Sequence, residues 1–407
     1  EHRPVTAKVV GSSPINSATF FNRRGVNSSA VFPFFAQAVV FLMELRYLEP
    51  PTRSQWWDWR WQLSNAATTL EAVGAYLGVG GEFFDGCRRA ASSYPLFVTP
   101  YYLSLATSAS LCDPILRQCI PLDAEIDCQC GGDPDALAEE STSPVPRLVH
   151  RYTDRALLVT GNICAMHCRH CMRKRDWAKN LPLLTERDLS QVTDYLNSHH
   201  EVREVLVSGG DPLMLPEENL SLVIQALSSV DSIEILRFGS RVPCVLPQRI
   251  TPRLAALLNS GKPAWLACHF NHPSELTREV SAATDILNRA GVCMVNQSVL
   301  LKGVNDDAEV LGRLFTSLLK YRIKPYYLFH GDPIEGAMHF RTGIDAGLRI
   351  MDSLRGRISG LALPAFALDL PGGKGKIRLQ PEKVEGHDAS GAPVFRSWQG
   401  EDVAYPN

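Results

Sequence analysis

Cys164, Cys168 and Cys171 fall at C-x3-C-x2-C within Gly161-Asn162-Ile163-Cys164-Ala165-Met166-His167-Cys168-Arg169-His170-Cys171-Met172-Arg173. Three thiolates at that spacing can hold three irons of a cubane [4Fe–4S] cluster and leave the fourth iron without a protein ligand. An iron so exposed can bind a substrate or cofactor directly. The same sulfurs, with His167 or His170, could instead form a structural zinc knot, or pack as small apolar side chains. Structural zinc sites usually pair two knuckles across a longer loop. Here every candidate ligand crowds into one loop of eight residues, which favours the cluster.

Other residue groups carry possible chemistry. Ser208-Gly209-Gly210-Asp211-Pro212 follows an apolar run; its glycines permit close backbone approach, and Asp211 supplies a carboxylate. His269-Phe270-Asn271-His272-Pro273 follows another run, and Asn296-Gln297-Ser298 lies on a third. Arg151 and Arg155, in Arg151-Tyr152-Thr153-Asp154-Arg155, can fork around a phosphate, although a solvated basic turn reads the same way. Asp369-Leu370-Pro371-Gly372-Gly373-Lys374-Gly375-Lys376 ends in a lysine on a glycine-rich segment. A Lys amine of lowered pKa can form a Schiff base with an aldehyde such as pyridoxal phosphate. The alternative is a flexible surface turn. The segment does not match the G-x-x-x-x-G-K-[ST] phosphate loop.

The elements that must position these groups are regular from Arg151 onward. Strands are expected at Ala156–Thr160, Glu204–Val207, Ile233–Phe238, Trp265–Phe270, Cys293–Val299 and Pro325–Phe329. Helices are expected between and after them, at Glu186–Ser198, Leu220–Val230, Pro252–Asn259, Glu275–Ala290, Ala308–Tyr321 and Ile344–Leu354. That alternation indicates βαβ units and a parallel sheet, hence an α/β fold. The chemically interesting residues follow the strands at their C-terminal ends, which favours a full or partial (β/α) barrel over an open sheet. The expected organisation is a poorly defined extension over 1–50 and a helical region with an acidic connecting loop over 51–146. The barrel core with its lysine loop then spans 147–380, and a tail spans 381–407.

Composition bounds the rest. The 407 residues are 45% hydrophobic and 21% charged, with a formal net charge of −2, an ordinary globular balance without a bulk field for nucleic acid or membrane. No apolar run approaches the roughly 20 residues of a membrane span. The 11 cysteines are odd in number, which suits a reducing, cytoplasmic setting better than a disulfide framework. Cys128-x-Cys130 with Cys112 and Cys119 could suggest a second metal site, but the acidic, glycine-containing surroundings read as a solvated loop. His2 to Val40 is basic and free of acid, in the manner of an organellar transit peptide; a badly defined terminus is the alternative. Trp56-Trp57-Asp58-Trp59-Arg60-Trp61-Gln62 reads first as packing.

Taken together these segments resemble the lysine 2,3-aminomutase family, the pyridoxal-phosphate-dependent branch of the radical S-adenosylmethionine (SAM) enzymes. The likeness runs from about Trp56 to Lys376. It includes the Trp-rich stretch, His150 to Arg155, the cysteine loop, Ser208 to Asp211, Pro247-Gln248-Arg249-Ile250-Thr251, His269 to Pro273, Asn296 to Asp306, His339-Phe340-Arg341-Thr342 and Pro371 to Lys376. The resemblance implies a partial parallel barrel of radical SAM type. It implies that Cys164, Cys168 and Cys171 bind the cluster, that Lys376 carries pyridoxal phosphate, and that Arg151 and Arg155 hold its phosphate. Arg173 would bind the substrate carboxylate. Gly209, Gly210, Asp211, His269 and Gln297 would surround SAM.

Lysine-specific members place two aspartates around the distal ammonium, and the matching positions are Asp332 and Asp369. Two carboxylates in a desolvated pocket repel unless a cation lies between them. A basic amino acid is therefore expected, lysine first and arginine second, with glutamate rejected. The implied reaction moves nitrogen from the α- to the β-carbon through a 5′-deoxyadenosyl radical, primed by an external one-electron reductant, in a homo-oligomer. Two departures stand out. Lys374 replaces a glycine of the family loop, and Asp307 stands where zinc-containing members have cysteine.

Overall fold

The computed structural model describes residues 51–405 apart from 129, 180, 381–383 and 390–391. The transit-peptide reading of the first 50 residues lies outside the described residues. The central sheet has nine strands in sequential order, β1 to β9. Leu148–Tyr152 (β1) runs antiparallel to Arg155–Val159 (β2). From β2 the sheet is parallel through Glu204–Ser208 (β3), Ile235–Ser240 (β4), Ala264–Cys268 (β5), Cys293–Leu300 (β6), Ile323–His330 (β7) and Ala365–Asp369 (β8). Lys376–Leu379 (β9) returns antiparallel to β8. Strands β1 and β9 are the sheet's edges, so the barrel is partial.

Side-chain alternation explains which face does what. Ala156, Leu158, Val205, Val207, Leu236 and Phe238 are buried under the helices, packed with Leu189, Val192, Val223 and Leu227. Leu157, Leu206 and Arg237, on the opposite face, are only half-buried and line the concave lumen. The crossover helices begin where short polar side chains accept a backbone N–H. Thr185 caps Glu186–Asn197 in a capping box with Asp188, and Thr251, Thr277 and Asp307 cap Pro252–Leu258, Arg278–Arg289 and Ala308–Lys320. Asp307, the departure from the zinc-containing members, is thus a helix cap.

Three features differ from expectation. Strands β1, β8 and β9 are additional, because short strands at or near a sheet edge carry little periodicity. Arg151 and Arg155 therefore lie on two strands of a hairpin rather than on a basic turn. The tail instead holds a three-stranded antiparallel sheet of Val384–His387 (β10), Pro393–Arg396 (β11) and Asp402–Ala404 (β12). The acidic connecting segment is not uniformly solvated. Cys128 and Cys130 are exposed, but Glu125 and Glu139 are buried.

Glu125 pins the helical region to the barrel. Arg169 donates to it through Nε at 2.8 Å and Nη2 at 2.6 Å, and Lys174 Nζ donates at 2.6 Å. Burial alone would raise the Glu125 pKa, but the two cations outweigh it and lower it. Removing one partner of such a buried set strands the others without compensation. Glu125→Gln should therefore destabilise the fold by about 3 kcal/mol in denaturant titrations. Asp307→Ala, which removes only a cap, should cost about 1 kcal/mol.

Candidate active site

The cysteine loop leaves the C-terminal end of β2 and is held by backbone. Gly210 N donates to Gly161 O and Asp211 N to Ile163 O, the latter at 2.8 Å. A Cβ on Gly210 would come within 2.4 Å of Ile163 O, and one on Gly209, at φ +123°, within 2.7 Å of Thr160 N. Only glycine fits there. The Gly-Gly pair thus lets the β3 loop lie against the cysteine loop. Asp211, expected beside SAM, is hydrogen-bonded within the fold. Its carboxylate accepts from Ser240 Oγ at 2.8 and 3.0 Å and from the N–H groups of Leu213, Arg241 and Val242 at 3.0, 2.7 and 3.2 Å. Those donors fill both oxygens, so Asp211 braces the ends of β3 and β4.

Burial pushes the Cys164 thiol well up and that of Cys171 to about 11. Arg241 Nη1 donates to Cys168 Sγ at 2.9 Å. Its Nη2 contacts Gln118 Oε1 at 2.6 Å and Glu275 Oε1 at 2.9 Å, and Asn271 Nδ2 reaches Gln118 Oε1 at 3.0 Å. Asn271 also lies 3.1 Å from His269 Nε2, which is 3.3 Å from His170 Nε2. Burial lowers the His269 pKa to about 3, so the ring is neutral at pH 7. Among the described residues no group of three His, Cys, Asp or Glu surrounds a single metal ion.

The lysine loop closes the other side. Lys376 Nζ lies 2.8 Å from Asp369 Oδ2 and 4.2 Å from the Phe329 ring centroid. Asp369 Oδ1 is buried and has no hydrogen-bond partner among the described residues. Burial, and then the neighbouring Asp369, raise the Asp332 carboxyl to about 7. Arg155 and Arg151 approach the Tyr152 ring at 3.8 and 6.0 Å, and Gly375 lies against that ring too. Both guanidiniums therefore stand beside the lysine loop. The ion pair of Arg155 with exposed Asp154 offers little competition for an anion. Lys374 is exposed. Half-buried Gln297 pairs in register with Tyr327, where β7 carries an extra residue, Tyr326.

Arg173 is buried, and Glu139 receives it in a fork at 2.9 and 2.6 Å. Its Nη1 points to Ser208 Oγ and Gly209 O at 3.4 and 3.3 Å. Glu139, Arg241, Glu275 and Gln118 were not singled out from the sequence. Arg241 had a usable signal, since Gly239-Ser240-Arg241 ends a barrel strand like the other groups.

Family models agree with this geometry. That of the Radical SAM superfamily matches residues 158–314, and that of Lysine-2,3-aminomutase matches residues 351–407. A putative L-lysine 2,3-aminomutase of Aquifex aeolicus is 45% identical over 363 residues, 88% of this chain and 97% of that protein. The L-lysine 2,3-aminomutase of Clostridium subterminale is 40% identical over 354 residues, 86% of this chain and 84% of its own. The glutamate 2,3-aminomutase of Clostridioides difficile is 35% identical over 352 residues, 86% and 83% of the two chains. Membership of the superfamily brings SAM and an iron–sulfur cluster. With likeness of that extent over a partial barrel of this kind, the chain belongs to the lysine 2,3-aminomutase family of radical SAM isomerases.

Proposed function

We propose that this enzyme moves the α-amino group of a basic amino acid, L-lysine in preference to L-arginine, to the β-carbon. One observation carries the substrate reading. Asp332 and Asp369 are close enough for Asp369 to raise the Asp332 carboxyl, and Asp369 Oδ1 is buried without a hydrogen-bond partner among the described residues. Such a site is stabilised by one more cation and rejects a carboxylate. Glutamate, the substrate in the name of one relative, is disfavoured on that ground.

The residues present fit a [4Fe–4S] cluster on Cys164, Cys168 and Cys171, and pyridoxal phosphate on Lys376 with its phosphate between Arg151 and Arg155. When bound, the cluster with SAM supplies a 5′-deoxyadenosyl radical, and pyridoxal phosphate supplies a π-system that spreads an unpaired electron. The chain's own residues do the rest. Asp369 holds the Lys376 amine beside Phe329 and Tyr327. Arg173 offers its Nη1 side to the substrate carboxylate, and Asp332 and Asp369 take the distal ammonium. Neutral His269, Gln297 and the backbone of Gly209 and Gly210 border the SAM side. The buried walls exclude water and oxygen from a reactive carbon.

Anaerobically reconstituted protein, reduced with dithionite, should convert lysine to β-lysine fastest, arginine more slowly and glutamate not at all, with products resolved by chromatography. Absence of a β-amino acid from both basic substrates would sink the reading. The pH dependence has a definite sign. Below about 7 the free enzyme carries a protonated Asp332, which no longer attracts the ammonium. kcat/KM for lysine should therefore fall about tenfold per pH unit below that value and level off above it. Asp332→Asn should lower the plateau and abolish this limb.

A further inference from the structure

The acidic segment before the barrel contains a short strap, residues 133–139, that bonds to the loops of Asp332 and Lys376, to Arg151 and to Arg173. At its start, Asp133 N donates to Pro333 O at 2.9 Å and Glu335 N to Asp133 O at 3.2 Å, which ties it to the loop of Asp332. In its middle, Ala136 O accepts from Gly372 N at 3.2 Å, in the loop of Lys376, and Leu137 O accepts from Arg151 Nη1 at 2.9 Å. At its end, Glu139 forks Arg173. The turn that aims Glu139 inward is specified locally. Ala138 adopts φ 52°, a conformation rare outside glycine, and Asp135 accepts the N–H groups of Glu139 and Glu140, each at 3.0 Å.

A guanidinium presents five N–H donors in a rigid plane. Glu139 takes Nε–H and one hydrogen of Nη2, which leaves the Nη1/Nη2 edge as the remaining bidentate face for a carboxylate. Nη1 lies beside Ser208 and Gly209 at the end of β3. Arg175 contributes a second cation to Glu139 at 3.2 Å and is itself paired with Asp135 at 3.0 Å. Burial alone would raise the Glu139 pKa, but Arg173 and Arg175 lower it, and it remains ionised at neutral pH.

We infer that Glu139 is a positioning residue. It turns Arg173 so that its Nη1/Nη2 edge meets the α-carboxylate of the substrate, and the strap fixes that edge relative to Asp332 at the other end of the same molecule. This rests on the reading of Arg173 as the carboxylate site.

The test compares lysine with 1,5-diaminopentane, which keeps both amines and lacks the carboxylate. In reconstituted holoenzyme, Glu139→Gln should lower kcat/KM for lysine about tenfold or more, the scale of one lost charge-assisted hydrogen bond. The inhibition constant of 1,5-diaminopentane should change less than about twofold, because that ligand does not use Arg173. Glu139→Asp, which keeps the charge, should recover part of the loss, and it decides the matter if the Gln variant fails to fold. Equal weakening of both ligands in the folded variant would assign Glu139 a structural role and overturn the inference, as would unchanged kcat/KM for lysine. Arg173→Lys is the control for the underlying reading. If that substitution leaves lysine turnover intact, the carboxylate site itself is wrong. If it impairs lysine alone while Glu139→Gln does nothing, only the positioning role is lost.

Discussion

The site depends on buried charge compensation between two stretches far apart in sequence. Arg169, Arg173, Lys174 and Arg175 crowd the cysteine loop and its exit, and all four must leave bulk water for that loop to sit at the barrel mouth. Cations so placed cost several kcal/mol each unless anions meet them with good geometry. Glu125 meets Arg169 and Lys174, and Glu139 meets Arg173 and Arg175. The connecting segment is acidic because it must neutralise this loop. Burial lowers the Lys174 pKa to about 8 even against the pull of Glu125, a measure of how thoroughly water is excluded.

That compensation leaves the lumen polarised. On the cysteine side, Arg173 turns Nη1 toward Ser208 and Gly209 at the end of β3, and Arg241 is held by Cys168, Gln118 and Glu275. On the lysine-loop side, Asp332 and Asp369 both neighbour Lys376, and Arg341 and Arg151 also act on Asp332. A ligand with a carboxylate at one end and an ammonium at the other matches the two walls in one orientation only.

Much of this could be read from the sequence, and the exceptions have physical reasons. Strands β2 to β7 and their helices repeat a strong apolar period, so their places differ from expectation by only a few residues. Strands β1, β8 and β9 are short, and their pairing depends on the curvature of the whole sheet. Cys164, Cys168 and Cys171 stand out in the sequence by spacing, whereas Lys376 is singled out only by the family resemblance, since a lysine after glycines reads first as a surface turn. Glu125 and Glu139 do not stand out, because their partners lie 44 and 34 residues away and an acidic stretch reads as solvated. The bracing role of Asp211 was likewise not legible. A carboxylate after two glycines looks available to a ligand, but the folded backbone of β4 supplies the donors that occupy it.

The partial barrel poses a geometric problem that a closed one does not. Edges β1 and β9 are not joined by ladder hydrogen bonds, yet Arg151 sits on one and Lys376 on the other. Curvature alone would fix their separation only loosely. The strap supplies the missing constraint: Leu137 O binds the arginine of one edge, and Ala136 O binds the loop leading to the lysine of the other. Two neighbouring carbonyls of one chain segment are a fixed distance apart, so Arg151 and the loop of Lys376 inherit that distance. The same segment continues to Glu139 and begins at Asp133, which extends the constraint to Arg173 and to the loop of Asp332. An open barrel can thereby hold a small ligand at several points without a closed ring of strands.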